Sequence, residues 1–369
     1  MSFYIREYGG PHRILAAAKS TEAVEAIIAE GKNYIFFEHN KAELYIQGEH
    51  IDVSIQNLEI EELNDFDVIE LYDNGVAEVI YQSTSNNNAI LLTMKCNSNC
   101  VMCPCSEKSR KYGFISSIDR LREILMYTPK NAEYITITGG EPWLIRDDMF
   151  EFMKILQKDF YNTEFLLLTN GRAFASKSIT NQFIQCKPDK MRVGIPIYGY
   201  DAKSHDAITQ AEGSFEQSVK GIKNLLSHRM DIEIRIVVSK LNVEYMQKIA
   251  DYIVEHFAGI VVVHFMAIEM MGNAVKNADK VWLPYEDCFK FLKDSITTII
   301  RAGIDVELYN FPLCTVDKEF WGLCRKSISD YKVQFASNCE QCIVKQLCGG
   351  MFDSTMRFCK FNPEPIIEG

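Results

Sequence analysis

AILLTMKCNSNCVMC, residues 89–103, is the stretch on which the reading of this chain turns. An apolar run from Ala89 to Met94 ends at Lys95, and three thiols follow at spacing C-x3-C-x2-C: Cys96, Cys100 and Cys103. A short apolar run closed by a polar loop reads as a buried strand, so the thiols stand on the loop that leaves it. Three thiolates can hold three irons of a 4Fe–4S cluster, which normally takes four cysteines, and one iron is then left for another ligand. A zinc knuckle or three unrelated cysteines are the competing readings. Zinc sites prefer a pair of C-x2-C hooks, and here Pro104 closes the triplet.

Strand and helix signals alternate outward from this point. Residues 89–94, 133–138, 164–169, 191–197, 233–238 and 260–268 read as strands, with helical patterns such as 147–160 and 213–228 between them. Strands apolar on both faces and separated by helices imply a parallel sheet wrapped by helices. Six such units are too few for a closed eightfold barrel, so the expected fold is α/β, a partial (β/α)6 barrel over residues 86–302. Ligands in such sheets sit at the C-terminal ends of the strands. The triplet, the glycine pair at Gly139–Gly140 and the TNG turn at Thr169 all follow strands, on that face.

Residues 1–85 read as a small α+β module. A helix over 20–30, with Ala23, Ile27 and Ile28 on one face, precedes strands at 34–37, 43–46, 52–55 and 77–82, and the polar run 82–88 reads as a linker. Residues 303–369 are poor in regular pattern and rich in cysteine, so metal ligation is the expected source of their stability.

Composition narrows the class. The chain has 369 residues, 47% hydrophobic and 24% charged, the profile of a globular protein with room for two or three domains. A net charge of −11 argues against a nucleic-acid footprint and suits a basic or neutral partner. No apolar run reaches the roughly 18 residues of a membrane span, and MSFYIREYGG has no signal-peptide pattern. The expectation is a cytoplasmic protein with no membrane partner. Of the 12 cysteines, Cys186 and Cys288 stand alone and read as small buried hydrophobes; the clustered rest point to metal ligation in a reducing compartment.

The second strand runs into TGGEP, 138–142. Gly139 and Gly140 remove side chains where a ligand must approach the backbone, and Glu141 offers an acceptor for an ammonium group; a tight turn before a helix is the plainer alternative. With the cysteine triplet one unit earlier, this pair resembles the radical S-adenosylmethionine superfamily. The resemblance implies a 4Fe–4S cluster on Cys96, Cys100 and Cys103, with S-adenosylmethionine on the open iron and GGE at its methionine amino group. It also implies that Met102, where an aromatic residue is common, packs near the adenine, and that Cys105 is not a ligand. Arg235, Ser239 and Asn242, at the end of the fifth strand, are candidates for the cofactor carboxylate and ribose; an edge charge and helix caps are the alternative. His205 and Asp206 are candidates for a proton acceptor near the substrate, or else a structural loop pair.

The C-terminal cysteines are Cys314, Cys324, Cys339, Cys342, Cys348 and Cys359. Their C-x2-C-x5-C core resembles the SPASM domain and its shorter relative, twitch, which carry auxiliary clusters. Phe352 stands where the SPASM pattern has a further cysteine. The simplest set implied is one auxiliary 4Fe–4S cluster on Cys339, Cys342, Cys348 and Cys359. A set of Cys314, Cys324, Cys339 and Cys342 is the alternative, and a structural zinc is the non-redox one.

Longer phrases, among them LTNGRAFA (168–175), GIPIYGYDAKSHDAI (194–208), EIRIVVSKLN (233–242) and CEQCIVKQLCGG (339–350), resemble the His-Xaa-Ser system radical maturase family HxsC. That likeness spans residues 89–352. It implies an enzyme that cleaves S-adenosylmethionine to a 5′-deoxyadenosyl radical and abstracts hydrogen from a peptide or small protein bearing His-Xaa-Ser repeats. A second maturase, HxsB, and an electron donor such as flavodoxin or ferredoxin are the implied partners. The N-terminal module is a candidate for recognising the peptide through an exposed strand edge, plain packing being the alternative. A small-molecule dehydrogenase and a non-enzymatic zinc- or cluster-binding adaptor are the rival functions.

Overall fold

The computed structural model describes residues 1–6, 8–38, 41–56, 62–359 and 362–367. Two sheets organise it. The first is a closed barrel of β1 (Ser2–Arg6), β2 (Arg13–Ala18), β3 (Tyr34–Glu38), β4 (Lys41–Ile46), β5 (Glu49–Gln56), β6 (Val68–Leu71) and β7 (Val76–Tyr81), in the order β1-β5-β4-β3-β2-β6-β7. Alternation along β2 explains why it is buried on both faces. Leu15 and Ala17 point into the barrel with Phe3, Ile35 and Leu71, while Ile14, Ala16 and Ala18 join the main core outside it. The helix Thr21–Ala29 is capped by Ser20, whose Oγ accepts from the Ala23 amide at 3.1 Å. It buries Ala23 and Ile27 but leaves Ile28 56% exposed, so the expected three-residue face is two residues wide. Closure also removes the strand edge expected to receive a peptide: each barrel strand is paired on both sides.

The module is held to the second sheet's layer by a charged pair. Arg120, on the helix Ile118–Tyr127, donates from Nε and Nη2 to the two carboxylate oxygens of Glu70 on β6, both at 2.7 Å. Glu70 is 1% exposed; burial pushes its pKa up, but Arg120 more than offsets this and the net shift is downward.

The second sheet is open and parallel throughout. Its strands are β8 (Asn88–Leu91), β9 (Tyr134–Thr138), β10 (Glu164–Leu168), β11 (Met191–Pro196), β12 (Asp231–Val238), β13 (Val262–Ala267), β14 (Asp305–Tyr309) and β15 (Cys324–Arg325), side by side in chain order. Sequential order with helical crossovers is the α/β arrangement expected from the alternating pattern. The sheet runs past residue 302, however: β14 pairs with β13 from Val262↔Asp305 to Met266↔Tyr309, and β15 adds two residues from the cysteine-rich region. DVELY carries polar residues at alternate positions because its inner face meets charged neighbours, so it lacks the apolar run that marks the other strands. Among the described residues, no helix is long and apolar enough to cross a membrane.

Candidate active site

Loops leaving the C-terminal ends of the parallel strands form an open cleft. Cys96, Cys100, Cys103, Met102, Gly139, Gly140 and Arg235 line it, together with Thr138, Asn170, Pro196, Tyr198 and Met266. The geometry therefore gathers the triplet, both glycines and the charge from β12 around one space.

The triplet loop is braced by backbone contacts. A Cβ on Gly140 would lie 2.1 Å from the Lys95 carbonyl oxygen, and one on Gly139 would lie 2.5 Å from that of Thr93. Only glycine lets the loop after β9 press against the strand exit that carries Cys96. The amides of Gly140 and Glu141 donate to Thr93 and Lys95 carbonyls, each at 2.8 Å. From a third side, Asn273 donates from Nδ2 to the Cys100 carbonyl at 3.0 Å, and its amide donates to that of Cys103 at 2.9 Å. Arg172 holds the Asn97 carbonyl at 2.9 Å, and Asn170 Nδ2 donates to the Asn97 side chain at 2.6 Å. Asn97 to Cys103 is thus fixed from three directions, as a multi-thiol ligand loop requires.

Burial pushes the thiols of Cys96 and Cys100 up to about 11 and about 12. A hydrogen bond from Cys105 draws Cys103 down to about 6 against the effect of burial, and raises Cys105 itself. Arg110, buried and bonded to the Cys105 carbonyl and the Asn99 side chain, supplies the nearby positive charge. Buried thiols of this kind ionise when a metal supplies the compensating charge.

Several expected residues lie elsewhere. Glu141 is 2% exposed and its carboxylate is spent on the chain: it accepts from Thr169 Oγ1 and the Asn170 amide at 2.7 Å and from the Trp143 amide at 3.1 Å. It does not line the cleft and braces the next loop instead. Asn242, fully buried, accepts from the Ser239 amide at 2.8 Å and donates to the Val237 carbonyl at 3.0 Å, so Ser239 and Asn242 close the turn after β12. His205 Nδ1 accepts from the Tyr198 amide at 3.1 Å, and burial lowers its pKa to about 4. Asp206 accepts from Ser214 Oγ and from the amides of Gly213 and Phe215, holding the start of the helix Ser214–Ser227. Neither lines the cleft; both do structural work, because each accepts from backbone amides that would otherwise go unpaired.

A row of charges crosses the sheet beneath the cleft. Arg235 donates to Glu233 Oε1 at 2.5 Å; His264 sits 3.3 Å from both Glu233 and Glu307; Arg325 meets Glu307 at 2.8 Å. Sequence reading passed over Glu233 and His264, although a charge inside runs such as EIRIVV and VVVHFMAI was the available signal.

In the C-terminal region, Cys314, Cys339, Cys342 and Cys348 line one small cavity among Leu313, Phe335, Val344, Met351 and Met356. Cys324 and Cys359 do not line it. Among the described residues, the sole group of three metal-ligand side chains with atoms within 4.8 Å of one another is Glu43, His50 and Asp52, on the N-terminal barrel. No three cysteines are drawn together as one tetrahedral zinc would draw them, with thiolates about 3.8 Å apart for Zn–S near 2.3 Å.

The cleft with its three open thiols at the strand ends is what a comparison with known families must account for. Residues 90–253 match the Radical SAM superfamily. Enzymes of the Radical SAM superfamily use a 4Fe–4S cluster and S-adenosylmethionine, and the thiols and glycines of the cleft fit that pair. An AdoMet-dependent heme synthase of Methanosarcina barkeri is 28% identical over 162 residues, 42% of this chain and 44% of that one. The subtilosin biosynthesis protein AlbA of Bacillus subtilis is 25% identical over 194 residues, 50% of this chain and 42% of that one. The chain thus spans less than half the length of either relative. Among solved structures, SuiB of Streptococcus suis bound to the precursor peptide SuiA has a TM-score of 0.49 at 16% identity, covering 62% of this chain and 49% of SuiB. Native anSMEcpe with bound AdoMet has a TM-score of 0.47 at 18% identity, covering 60% and 63%.

Proposed function

We propose that this Radical SAM chain modifies a ribosomally made peptide, one carrying His-Xaa-Ser repeats. The observation that carries the reading is the cleft at the strand ends, where three braced thiols face Gly139, Gly140 and Arg235. Support for a peptide comes from the phrases shared with the HxsC maturases and from the match to AlbA, a bacteriocin biosynthesis protein by name. When bound, the cluster and S-adenosylmethionine would supply the radical chemistry for hydrogen abstraction from the substrate. The chain's part is to hold and to exclude. Cys96, Cys100 and Cys103 would ligate the cluster, Met102 and Tyr198 wall the cleft, and Arg235 offers a fixed positive charge to a carboxylate. An HxsB-type partner and a flavodoxin or ferredoxin donor belong to the same reading.

The test uses anaerobically reconstituted protein with dithionite, S-adenosylmethionine and a His-Xaa-Ser repeat peptide. Release of 5′-deoxyadenosine, abolished in Cys100→Ala, with a change in peptide mass is the expected result. Absence of 5′-deoxyadenosine from cluster-loaded protein defeats the enzymatic reading. A small-molecule substrate is the second reading, favoured by the match to a heme synthase over part of the same region. Turnover with the peptide mass unchanged selects it.

A further inference from the structure

We infer that Cys314, Cys339, Cys342 and Cys348 are the four ligands of a second iron–sulfur cluster, and that Cys359, which the spacing pattern would recruit, is not. The inference rests on the chain carrying an auxiliary cluster, as the proposed function has it. Three one- or two-turn 3-10 segments surround the cavity: Leu313–Thr315 carries Cys314, Ser337–Gln341 carries Cys339 and ends at Cys342, and Lys345–Leu347 ends at Cys348. Each such turn leaves its cysteine on the cavity wall. The Cys348 sulfur already accepts two backbone hydrogen bonds, from the amides of Leu313 and Gly350, both at 3.4 Å. Amide donors to sulfur are the means by which a protein stabilises a cluster thiolate. One of them comes from the residue next to Cys314, so the same contact ties the distant Cys314 segment to the C-x2-C-x5-C core. The walls are otherwise mostly apolar, which shields a cluster from water, and no three of the thiols lie within 4.8 Å of one another, as three ligands of a single zinc would.

Cys359 stands on a different element. It ends the helix Asp353–Cys359, where its thiol donates to the Thr355 carbonyl at 3.0 Å. That helix is fixed to the loop after β13, since the Met270 amide donates to Thr355 Oγ1 at 3.0 Å. Its neighbour Phe358 packs edge-on against Trp282 at 5.7 Å, on the side of the parallel sheet. Met356, three residues earlier on that helix, lines the cavity, whereas Cys359 does not, its thiol being turned onto the Thr355 carbonyl.

The experiment counts iron and sulfide in full-length, anaerobically reconstituted protein. Wild type should bind about eight irons, and a variant with Cys96, Cys100 and Cys103 all changed to Ala about four. In that background, Cys314→Ala should lose the remaining iron and its reduced-state EPR signal, and Cys359→Ala should keep both. Cys314→Ser should keep the iron with a changed EPR spectrum, since an oxygen replaces one sulfur; this variant also answers any doubt about folding of the alanine form. Iron loss in Cys359→Ala, alone or alongside Cys314→Ala, overturns the assignment, as does an unchanged spectrum in Cys314→Ser. A wild type that binds only about four irons removes the second cluster itself, a failure distinct from a wrong ligand set.

Discussion

Glu141 and Thr169 are joined by a 2.7 Å hydrogen bond from the threonine hydroxyl to Oε1, which ties the loop after β9 to the loop after β10. The carboxylate is buried, and burial pushes its pKa up while the amides of Asn170 and Trp143 and the Thr169 hydroxyl pull it down. Thr169→Val removes one donor and leaves the others. We expect a loss of about 1–3 kcal/mol in thermal or urea unfolding, with cluster iron retained. Glu141→Ala leaves three donors, the Thr169 hydroxyl and the Asn170 and Trp143 amides, without their acceptor and should cost more. Equal melting of Thr169→Val and wild type would show that the bond adds no stability.

His205 makes stability depend on pH. Burial lowers its pKa from 6.5 to about 4 while its Nδ1 accepts the Tyr198 amide. The unfolded chain takes up a proton near pH 6.5 that the folded ring refuses until about pH 4. Its contribution is therefore complete above about pH 6.5 and is lost as pH falls towards 4, by about 3 kcal/mol in all. His205→Asn keeps an acceptor and does not titrate. Unfolding free energies at pH 7 and pH 5 should converge in this variant relative to wild type; an unchanged pH slope would exclude His205 as the source.

The cysteine triplet, the glycines and five of the six expected parallel strands could be read closely because each is a local signal: spacing, close approach or a continuous apolar run. The first strand proved shorter, ending at Leu91. What escaped depends on partners distant in sequence. RILAAA of β2 has no period-2 pattern, because small residues fill both faces between two cores. Barrel closure rests on the pairing of β1 with β5 and β7, and neither is its neighbour along the chain. Residues such as Tyr198 and Asn273 shape the cleft through loop geometry that no motif encodes. Cysteine spacing likewise groups Cys359 with the C-x2-C core, while the fold brings in Cys314.

The charge row under the cleft should govern acid resistance. Burial alone would raise the Glu233 pKa, but His264 and Arg235 bring it down to about 2. Its stabilisation is present above the unfolded value near 4.5 and is lost as pH falls towards 2. His264→Leu removes the ring between Glu233 and Glu307 and puts apolar surface against both carboxylates, leaving buried Glu233 to Arg235 and half-buried Glu307 to Arg325. A loss of about 3 kcal/mol at neutral pH is expected, with acid unfolding moved to higher pH. Circular dichroism during acid titration measures this, and coincident curves for variant and wild type would refute it.

The contact between Arg120 and Glu70 should hold the N-terminal barrel to the helix Ile118–Tyr127. Arg120→Ala leaves a nearly fully buried carboxylate without its cation, with the His12 ring at 2.8 Å and the Tyr72 hydroxyl at 3.1 Å beside it. We expect a loss of about 3–5 kcal/mol, seen in calorimetry as an earlier transition, and faster proteolytic cutting near residues 82–88. Replacing both residues, Arg120→Leu with Glu70→Leu, should recover much of that loss, because neither charge is then left buried and unpaired. Failure of the double variant to recover would assign the loss to packing.

Gly140→Ala separates the two roles open to the glycine pair. If the glycine served only to admit a ligand, a methyl group would weaken S-adenosylmethionine binding and leave the iron site intact. The structure puts the added Cβ 2.1 Å from the Lys95 carbonyl oxygen, a backbone atom next to Cys96 that has little freedom to yield. Relief requires the strand exit to shift, and Cys96 shifts with it. The expected outcome is loss of the cluster held by Cys96, Cys100 and Cys103, read as about four fewer irons per chain, together with a drop in melting temperature. Ser109→Ala, on the neighbouring helix Glu107–Tyr112 and partly exposed, should retain full iron content. Full iron in Gly140→Ala with weakened S-adenosylmethionine binding would instead make the glycine a ligand-admitting position and remove its role in holding the thiol loop.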